Sequence, residues 1–325
     1  MNHAIELKEN GGPEVLQWVD KPLVAPGPGQ VRVKNHAVGL NFIDIYVRSG
    51  LYPVTEFPCG LGTEGAGVVD AIGADVSGLA VGDRVAYAQG PLGAYSQYHC
   101  LPADKLVRLP ESIGFDTAAA MMLKGLTVQY LLRQCAPLKT GDVVLFHAAA
   151  GGVGLIACQW ARALGVKLIG TVSSAAKADL AKANGAWATI NYSHEDVAQR
   201  VHELTEGRGC DVVYDSVGKD TWLASLDCLK PRGLMVSFGN ASGPVTGVDL
   251  AILNQKGSLF VTRPSLNGYA DTPARLQMMA DDLFDVVEKG QVNIRIGQRF
   301  ALKDAALAQQ ALASRQTTGS TVLLP

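Results

Sequence analysis

Residues 142–165 read DVVLFHAAAGGVGLIACQWARALG, and this stretch decides the fold. Val143 to Phe146 is a short apolar run behind a turn-forming Thr140-Gly141-Asp142, which predicts a buried strand. Small residues follow from Ala148 to Gly154. Leu155, Ile156, Trp160, Ala161 and Leu164 then recur at helical spacing, and Gly165 supplies a stop. Strand, glycine turn and helix together can hold a pyrophosphate. Small residues let backbone N–H groups approach it, and a helix N-terminus offers unpaired donors and a favourable dipole. The spacing is AxxGxxG, through Ala148, Gly151 and Gly154, rather than GxGxxG. Its position between a strand and a helix is the context such a motif requires.

Outward from this turn, the pattern from about residue 140 alternates strand and helix. Strands are expected at 167–172, 188–190, 211–215, 234–238 and 259–261. Helices are expected at 175–184, 196–205 and 221–229. Short apolar strands joined by helical crossovers predict a doubly wound parallel sheet in an α/β fold. Before residue 120 the texture differs. Strands are expected around Val31–Ala37 and at 65–72, 83–87 and 94–99, broken by Gly and Pro, as in a compact strand-rich domain. A short helix starts near Asn41, and a longer one covers 116–133. Helices at 274–288 and 304–315 and a strand at 320–324 close the chain, and this tail is expected to return to the first domain. The assignment is residues 1–122 and 267–325 for the strand-rich domain, and 123–266 for the dinucleotide-binding domain.

The chain has 325 residues, with 28 Lys+Arg against 30 Asp+Glu. Nothing in that balance favours nucleic acid, and no basic cluster suggests a membrane surface. The six cysteines show no CxxC pair and no zinc-ligand spacing. No apolar run is long enough to span a membrane, and residues 1–12 lack a signal-peptide core, so a cytoplasmic protein is expected.

NFIDIYVRSGLYP (41–53), GTEGAGVV (62–69), LKGLTVQYLL (123–132), FHAAAGGVG (146–154), YDSVG (214–218) and TTGSTVLLP (317–325) together resemble the quinone oxidoreductase, zeta-crystallin-like branch of the medium-chain dehydrogenase/reductase superfamily. The likeness spans essentially the whole chain and is nearest the bacterial NADPH:quinone reductases. It implies a GroES-like catalytic domain, a Rossmann domain with the cofactor in the cleft between them, and a homodimer. The zinc alcohol dehydrogenases of the superfamily carry a zinc-binding His before Glu, where this chain has Gly62-Thr63-Glu64. Their cysteine ligand falls near Asn41. A hydroxyl and an amide are poor zinc ligands beside imidazole and thiolate, so no catalytic metal is expected.

Cofactor choice is legible after the second strand. An NAD site places an acid there for the ribose 2′-OH. Here Ser173 and Ser174 offer hydrogen bonds and Lys177 a positive charge, which suits the 2′-phosphate of NADPH. Lys177 is otherwise a solvated helix charge. Tyr192 is placed nearby. The resemblance puts Arg315 near the same phosphate; its plainer role is a cation at a helix C-terminus. Gly151, Gly152 and Val153 are expected at the pyrophosphate. Ser216, Phe238, Gly239, Asn240, Pro264, Ser265 and Leu266 follow later strands, toward the nicotinamide. Asn41, Lys124, Thr127 and Tyr130 are expected from the opposite side. The substrate pocket is assigned to Asn41, Asp44, Tyr46, Arg48 and Tyr52. Tyr46 or Tyr52 would bond a quinone oxygen, with Asp44 orienting them, and half-burial against backbone or water is the alternative for Tyr46. No nucleophile–base pair is apparent. The leading expectation is hydride transfer from NADPH to a quinone. Enone or enoyl reduction on the same scaffold is the enzymatic alternative. An NADPH-stabilised RNA-binding or crystallin-like protein is the alternative from another class.

Overall fold

The computed structural model describes all of residues 1–325, and the chain divides into two compact units. In chain order the elements are β1 (Asn2–Leu7), β2 (Leu16–Lys21), β3 (Gln30–Leu40), α1 (Phe42–Arg48), β4 (Cys59–Gly60), β5 (Gly65–Ile72), β6 (Arg84–Tyr87), β7 (Tyr98–Pro102), β8 (Val107–Arg108) and α2 (Phe115–Tyr130). There follow β9 (Val143–Phe146), α3 (Gly152–Ala163), β10 (Lys167–Val172), α4 (Ala175–Ala183), β11 (Ala188–Asn191), α5 (Val197–Leu204), β12 (Cys210–Asp215), α6 (Trp222–Asp227), β13 (Leu229–Ser237), α7 (Ala251–Gln255), β14 (Phe260–Thr262) and α8 (Leu266–Tyr269). The chain closes with α9 (Pro273–Glu288), β15 (Ile296–Ala301), α10 (Ala305–Ala313) and β16 (Ser320–Leu324).

The first unit comprises 1–126, 270–288 and 294–325. Its main sheet runs β15-β16-β3-β5-β6-β8, with β7 also paired to β3, and a smaller sheet runs β2-β1-β4. Alternate residues of β3, Val31 and Val33, meet Leu7, Val85 and Leu323 in one buried cluster. Burial on one face of an antiparallel strand fixes its register. Three of the expectations for this unit need correcting. Residues 94–97 are not a strand: the Asn35 amide donates to the Ala94 and Ser96 carbonyls, and the Ser96 hydroxyl lies on Gly93 O. Side-chain bonds there occupy groups a ladder would use. The helix expected to reach Arg133 leaves the α form at Tyr130 and continues as a π-helical turn, Leu131–Cys135. The tail is also not one piece, because 289–293 belongs with the second unit. There the Gln159 side chain donates to Asn293 O at 3.0 Å and accepts the Asn293 N–H at 2.8 Å.

The second unit, 127–269 with 289–293, holds one six-stranded sheet in the order β11-β10-β9-β12-β13-β14. Every pairing in it is parallel. The chain winds outward from β9 to β11, then returns to β12 on the other side of β9. The switch point therefore lies between β9 and β12, where ligands of such sheets bind. All four residues of β9 are buried, as a central strand covered on both faces requires.

Candidate dinucleotide and substrate site

The glycine turn leaves β9 through His147 and reaches Ala148, whose φ of 56° lies in the left-handed region. Gly151 donates to Ala148 O at 3.0 Å, and Gly151 then caps α3 without a side-chain hydrogen bond. The first amides of α3 therefore have no side-chain partner from the cap, which leaves donors and a positive dipole end for an anion. Two glycines here serve the protein itself. A Cβ on Gly154 would meet Ala148 O at 2.5 Å, and one on Gly170 would meet the Ala149 Cβ at 2.5 Å. Gly151 differs, because its φ is ordinary and the nearest atom to its Cβ would be Ala148 O at 3.3 Å. That contact is tight but needs only a small shift, so packing asks for glycine less strongly at 151 than at 154, and the bare backbone there suits the approach of a ligand. Gly152 and Val153, half-buried, form the first turn of α3.

At the end of β10, Lys177 Nζ lies 3.2 Å from Ser173 Oγ, and Ser174 Oγ accepts the Lys177 N–H at 3.3 Å as the cap of α4. No acidic residue occurs from Thr171 to Ala178. Tyr192 follows the neighbouring β11, is exposed, and donates its N–H to Val172 O. These four residues converge at one strand end. Arg315 belongs to the first unit, exposed, with a φ of 60° just past α10.

Across the switch point, Asp215 ends β12 fully buried. Its Oδ1 accepts the Val217 and Gly218 N–H groups, and its Oδ2 accepts the Thr221 and Ser225 hydroxyls. This folds the chain at Ser216 into a tight turn. Gly239 rests on it, since a Cβ would stand 2.4 Å from Ser216 O. The expected cofactor glycine at 239 thus has a packing reason of its own. Phe238 tilts against Phe146, with ring centres 5.7 Å apart. Arg263 donates to Gly239 O and contacts Ser237 Oγ. Pro264, Ser265 and Asn240 keep some exposure, whereas Leu266 is buried. Tyr130 stacks on Tyr269 at 4.7 Å, and Thr127 bonds its phenol.

The first unit carries a separate buried polar cluster. Asn41 caps α1, and Asp44 in the first turn returns the bond, accepting the Asn41 N–H at 2.9 Å. Asn41 Nδ2 donates to Glu64 at 2.6 Å. The Leu123 N–H and Lys124 Nζ reach the same carboxylate at 2.7 and 3.2 Å. Gly39 makes room, since a Cβ there would overlap Glu64. Three donors, one of them cationic, compensate a charge that burial would otherwise penalise heavily. Asp44 is also fully buried, and desolvation pushes its carboxyl up to about 7.

Asp44 has structural partners beyond the role expected of it. Oδ2 takes the Tyr95 hydroxyl at 2.8 Å as well as the Asn41 N–H, which makes it a helix cap and an anchor for Tyr95. Tyr46 and Tyr52 meet each other edge to face at 5.3 Å. Arg48 is turned inward, donating to Gln309 Oε1 at 2.8 Å and Gly11 O at 3.2 Å. Buried Glu64, Tyr95, His147 and Asp215 were absent from the expected set. Glu64, His147 and Asp215 lie inside the motifs GTEGAGVV, FHAAAGGVG and YDSVG, but Glu64, Tyr95 and His147 take partners remote in sequence, so their roles were not visible there. No three His, Cys, Asp or Glu side chains gather as a metal site.

With this geometry described, likeness to known proteins becomes informative. Residues 27–111 match the alcohol dehydrogenase GroES-like domain, and residues 152–281 match the zinc-binding dehydrogenase family. A quinone oxidoreductase of Pseudomonas aeruginosa is 66% identical over 100% of both chains. The crystal structure of an Escherichia coli quinone oxidoreductase complexed with NADPH superposes with a TM-score of 0.98 at 55% identity, covering 99% of this chain and 100% of that one. A 2-haloacrylate reductase from a Burkholderia species is 46% identical over 99% of this chain and 98% of its own.

Proposed function

The chain belongs to the quinone oxidoreductase family of the medium-chain dehydrogenase/reductase superfamily, and from that membership we propose that it reduces a quinone with NADPH and without a catalytic metal. The observation that carries the cofactor assignment is Lys177 Nζ resting on Ser173 Oγ at the end of β10, in a segment without a carboxylate. A 2′-phosphate meets charge and donors there, whereas the acid an NAD site uses would repel it. Gly151 and the uncapped start of α3 suit the pyrophosphate. NADPH supplies the hydride when bound. The protein's share is orientation, exclusion of water and polarisation of the acceptor.

Asn41 and Lys124, fixed by Glu64, belong to the proposed cofactor set, as do Thr127, Tyr130, Ser216, Asn240, Pro264 and Ser265. Tyr46 and Tyr52 are the proposed hydroxyl donors to the quinone. The donor set argues against a metal role: the Asn41 amide is engaged by Glu64, and position 63 is threonine. The test is NADPH oxidation by purified protein against quinones, enones and aldehydes, before and after exhaustive chelation. Turnover with quinones that survives chelation is expected. No NADPH oxidation with any acceptor, or turnover restored only by zinc, would overturn the proposal. The likeness to the haloacrylate reductase favours one second reading, reduction of a conjugated carbon–carbon double bond, and the enone arm of the same panel tests it.

We further propose a homodimer built on β14. This strand pairs only with β13, so its outer edge is open, and Phe260 on it is 61% exposed. No helix is long and apolar enough to cross a membrane. All six cysteines are free, which supports placing the protein in the reducing cytoplasm.

A further inference from the structure

Beneath the glycine turn lies a buried chain of polar side chains that the proposed reaction does not use. His147 Nδ1 is 3.0 Å from Thr171 Oγ1, and its Nε2 is 2.9 Å from Ser225 Oγ. Ser225 reaches Asp215 Oδ2 at 2.8 Å. Serine, histidine and aspartate are also the members of a hydrolytic triad, but here the serine stands between the other two. Asp215 does not orient the imidazole, and its nearest approach to Nε2 is 4.0 Å. All four side chains are buried, with exposures from 0% to 2%, so no substrate reaches the hydroxyl. Nucleophilic chemistry is therefore excluded by order and by access.

The donors run in one direction. Asp215 only accepts, so the Ser225 hydroxyl donates to it, and Ser225 Oγ must accept from His147 Nε2–H. His147 Nδ1 is then the acceptor for the Thr171 hydroxyl. Thr171 Oγ1 in turn accepts the Ala148 N–H at 3.3 Å. Burial lowers the His147 pKa, in keeping with a neutral ring. One end of this chain is the first residue of the glycine turn. The other is the carboxylate that folds the Ser216–Gly218 turn through the Val217 and Gly218 amides. Thr171 also stands two residues before Ser173. Three segments assigned to the dinucleotide are thus tied together under the site.

We propose that His147 is a positioning residue that sets the spacing between the glycine turn and the Ser216 turn, and so governs affinity for the dinucleotide as a whole. This rests on the dinucleotide reading given above. The His147 side chain is held away from any ligand and acts through Thr171 and Ser225. Its effect falls on the part common to NADPH and NADH, unlike that of Lys177.

The experiment is fluorescence titration of the full chain and of T171V, S225A, the double variant and T171S with NADPH and NADH, alongside melting without cofactor. T171V and S225A each cut the chain once. Each should raise both dissociation constants roughly tenfold, the worth of about one buried hydrogen bond. The double variant should be little worse than either single, because a chain already cut transmits nothing. T171S keeps the hydroxyl and should bind as the unaltered protein does. Single variants that melt earlier but bind both dinucleotides within twofold of the unaltered protein would overturn the positioning role. So would losses that multiply in the double variant, or a loss for NADPH alone. An unaltered protein that binds neither dinucleotide would overturn the dinucleotide reading itself.

Discussion

Gly154 stands so close to Ala148 that a Cβ on it would lie 2.5 Å from the Ala148 carbonyl oxygen, whereas one on Gly151 would lie 3.3 Å from the same oxygen, a tight contact that a small shift relieves. Two glycines of one motif therefore answer to different masters. Gly154→Ala forces α3 off the turn and should destabilise the fold by about 1–3 kcal/mol, the usual range for overpacking. Gly151→Ala asks only a small shift of that carbonyl and should cost about 1 kcal/mol or less. It should nevertheless lose much of its NADPH-induced thermal shift, because the methyl group occupies phosphate space. Thermal midpoints with and without NADPH check both; a full shift in Gly151→Ala would move the phosphates elsewhere.

Lys177 Nζ rests on Ser173 Oγ in a segment that holds no acid from 171 to 178. Lys177→Ala should raise the KM for NADPH while leaving that for NADH nearly unchanged. A charge-assisted hydrogen bond is worth roughly 1.5–3 kcal/mol, or about 10- to 150-fold. Steady-state kinetics with both cofactors decides the matter, and equal losses would reduce Lys177 to a helix charge.

Asp44 makes stability depend on pH in an unusual direction. Burial lifts its carboxyl to about 7, while the unfolded chain releases that proton near pH 4. Between those values the folded state holds a proton that the unfolded state has lost. Its contribution is complete below the unfolded pKa and declines as pH rises through 7, by up to about 1.4 kcal/mol per unit. Asp44→Asn keeps an acceptor for Tyr95 and does not titrate. Its urea midpoint should therefore gain on that of the unaltered protein between pH 4.5 and 7.5. A constant difference across that range would contradict the assignment.

The open edge of β14 gives a prediction about assembly. Phe260→Lys places a charge on a strand edge, which natural proteins use to prevent pairing. Light scattering should find the unaltered protein at twice the mass of one chain and the variant at once that mass. Two unaltered monomers, or an unaffected dimer in the variant, would place any association elsewhere.

The doubly wound sheet was legible because each of its central strands is a continuous apolar run and the turn after Phe146 is almost free of side chains. The strand-rich unit was less so. β2 (LQWVDK) and β15 (IGQRFA) are largely exposed or alternate weakly, so nothing in their composition separates them from loop. Asn41 and Asp44 were legible through the motif NFIDIYVRSGLYP, not through the capping bonds they exchange. Glu64 meets Asn41 only through the register of β3 against β5, in which Val38 faces Gly65. His147 could not be interpreted from its neighbours, because Thr171 and Ser225 come from other strands and helices of the parallel sheet. Local periodicity reports which face of an element is buried; it does not report which polar groups are buried together.

The place of β16 has a consequence for synthesis. It lies between β15 and β3 in the first unit's sheet, with Val322 and Leu323 fully buried, yet it follows the whole second unit in sequence. β3 is translated early and pairs with β5 and, over 30–34, with β7, but its residues 38–40 wait for β16 while some 280 later residues leave the ribosome, a span read from the pairing of Val38 with Leu323. The second unit has all six of its strands by Thr262 and can close first. The first unit is thus completed after the second, and its vulnerable interval ends only when Leu323 emerges.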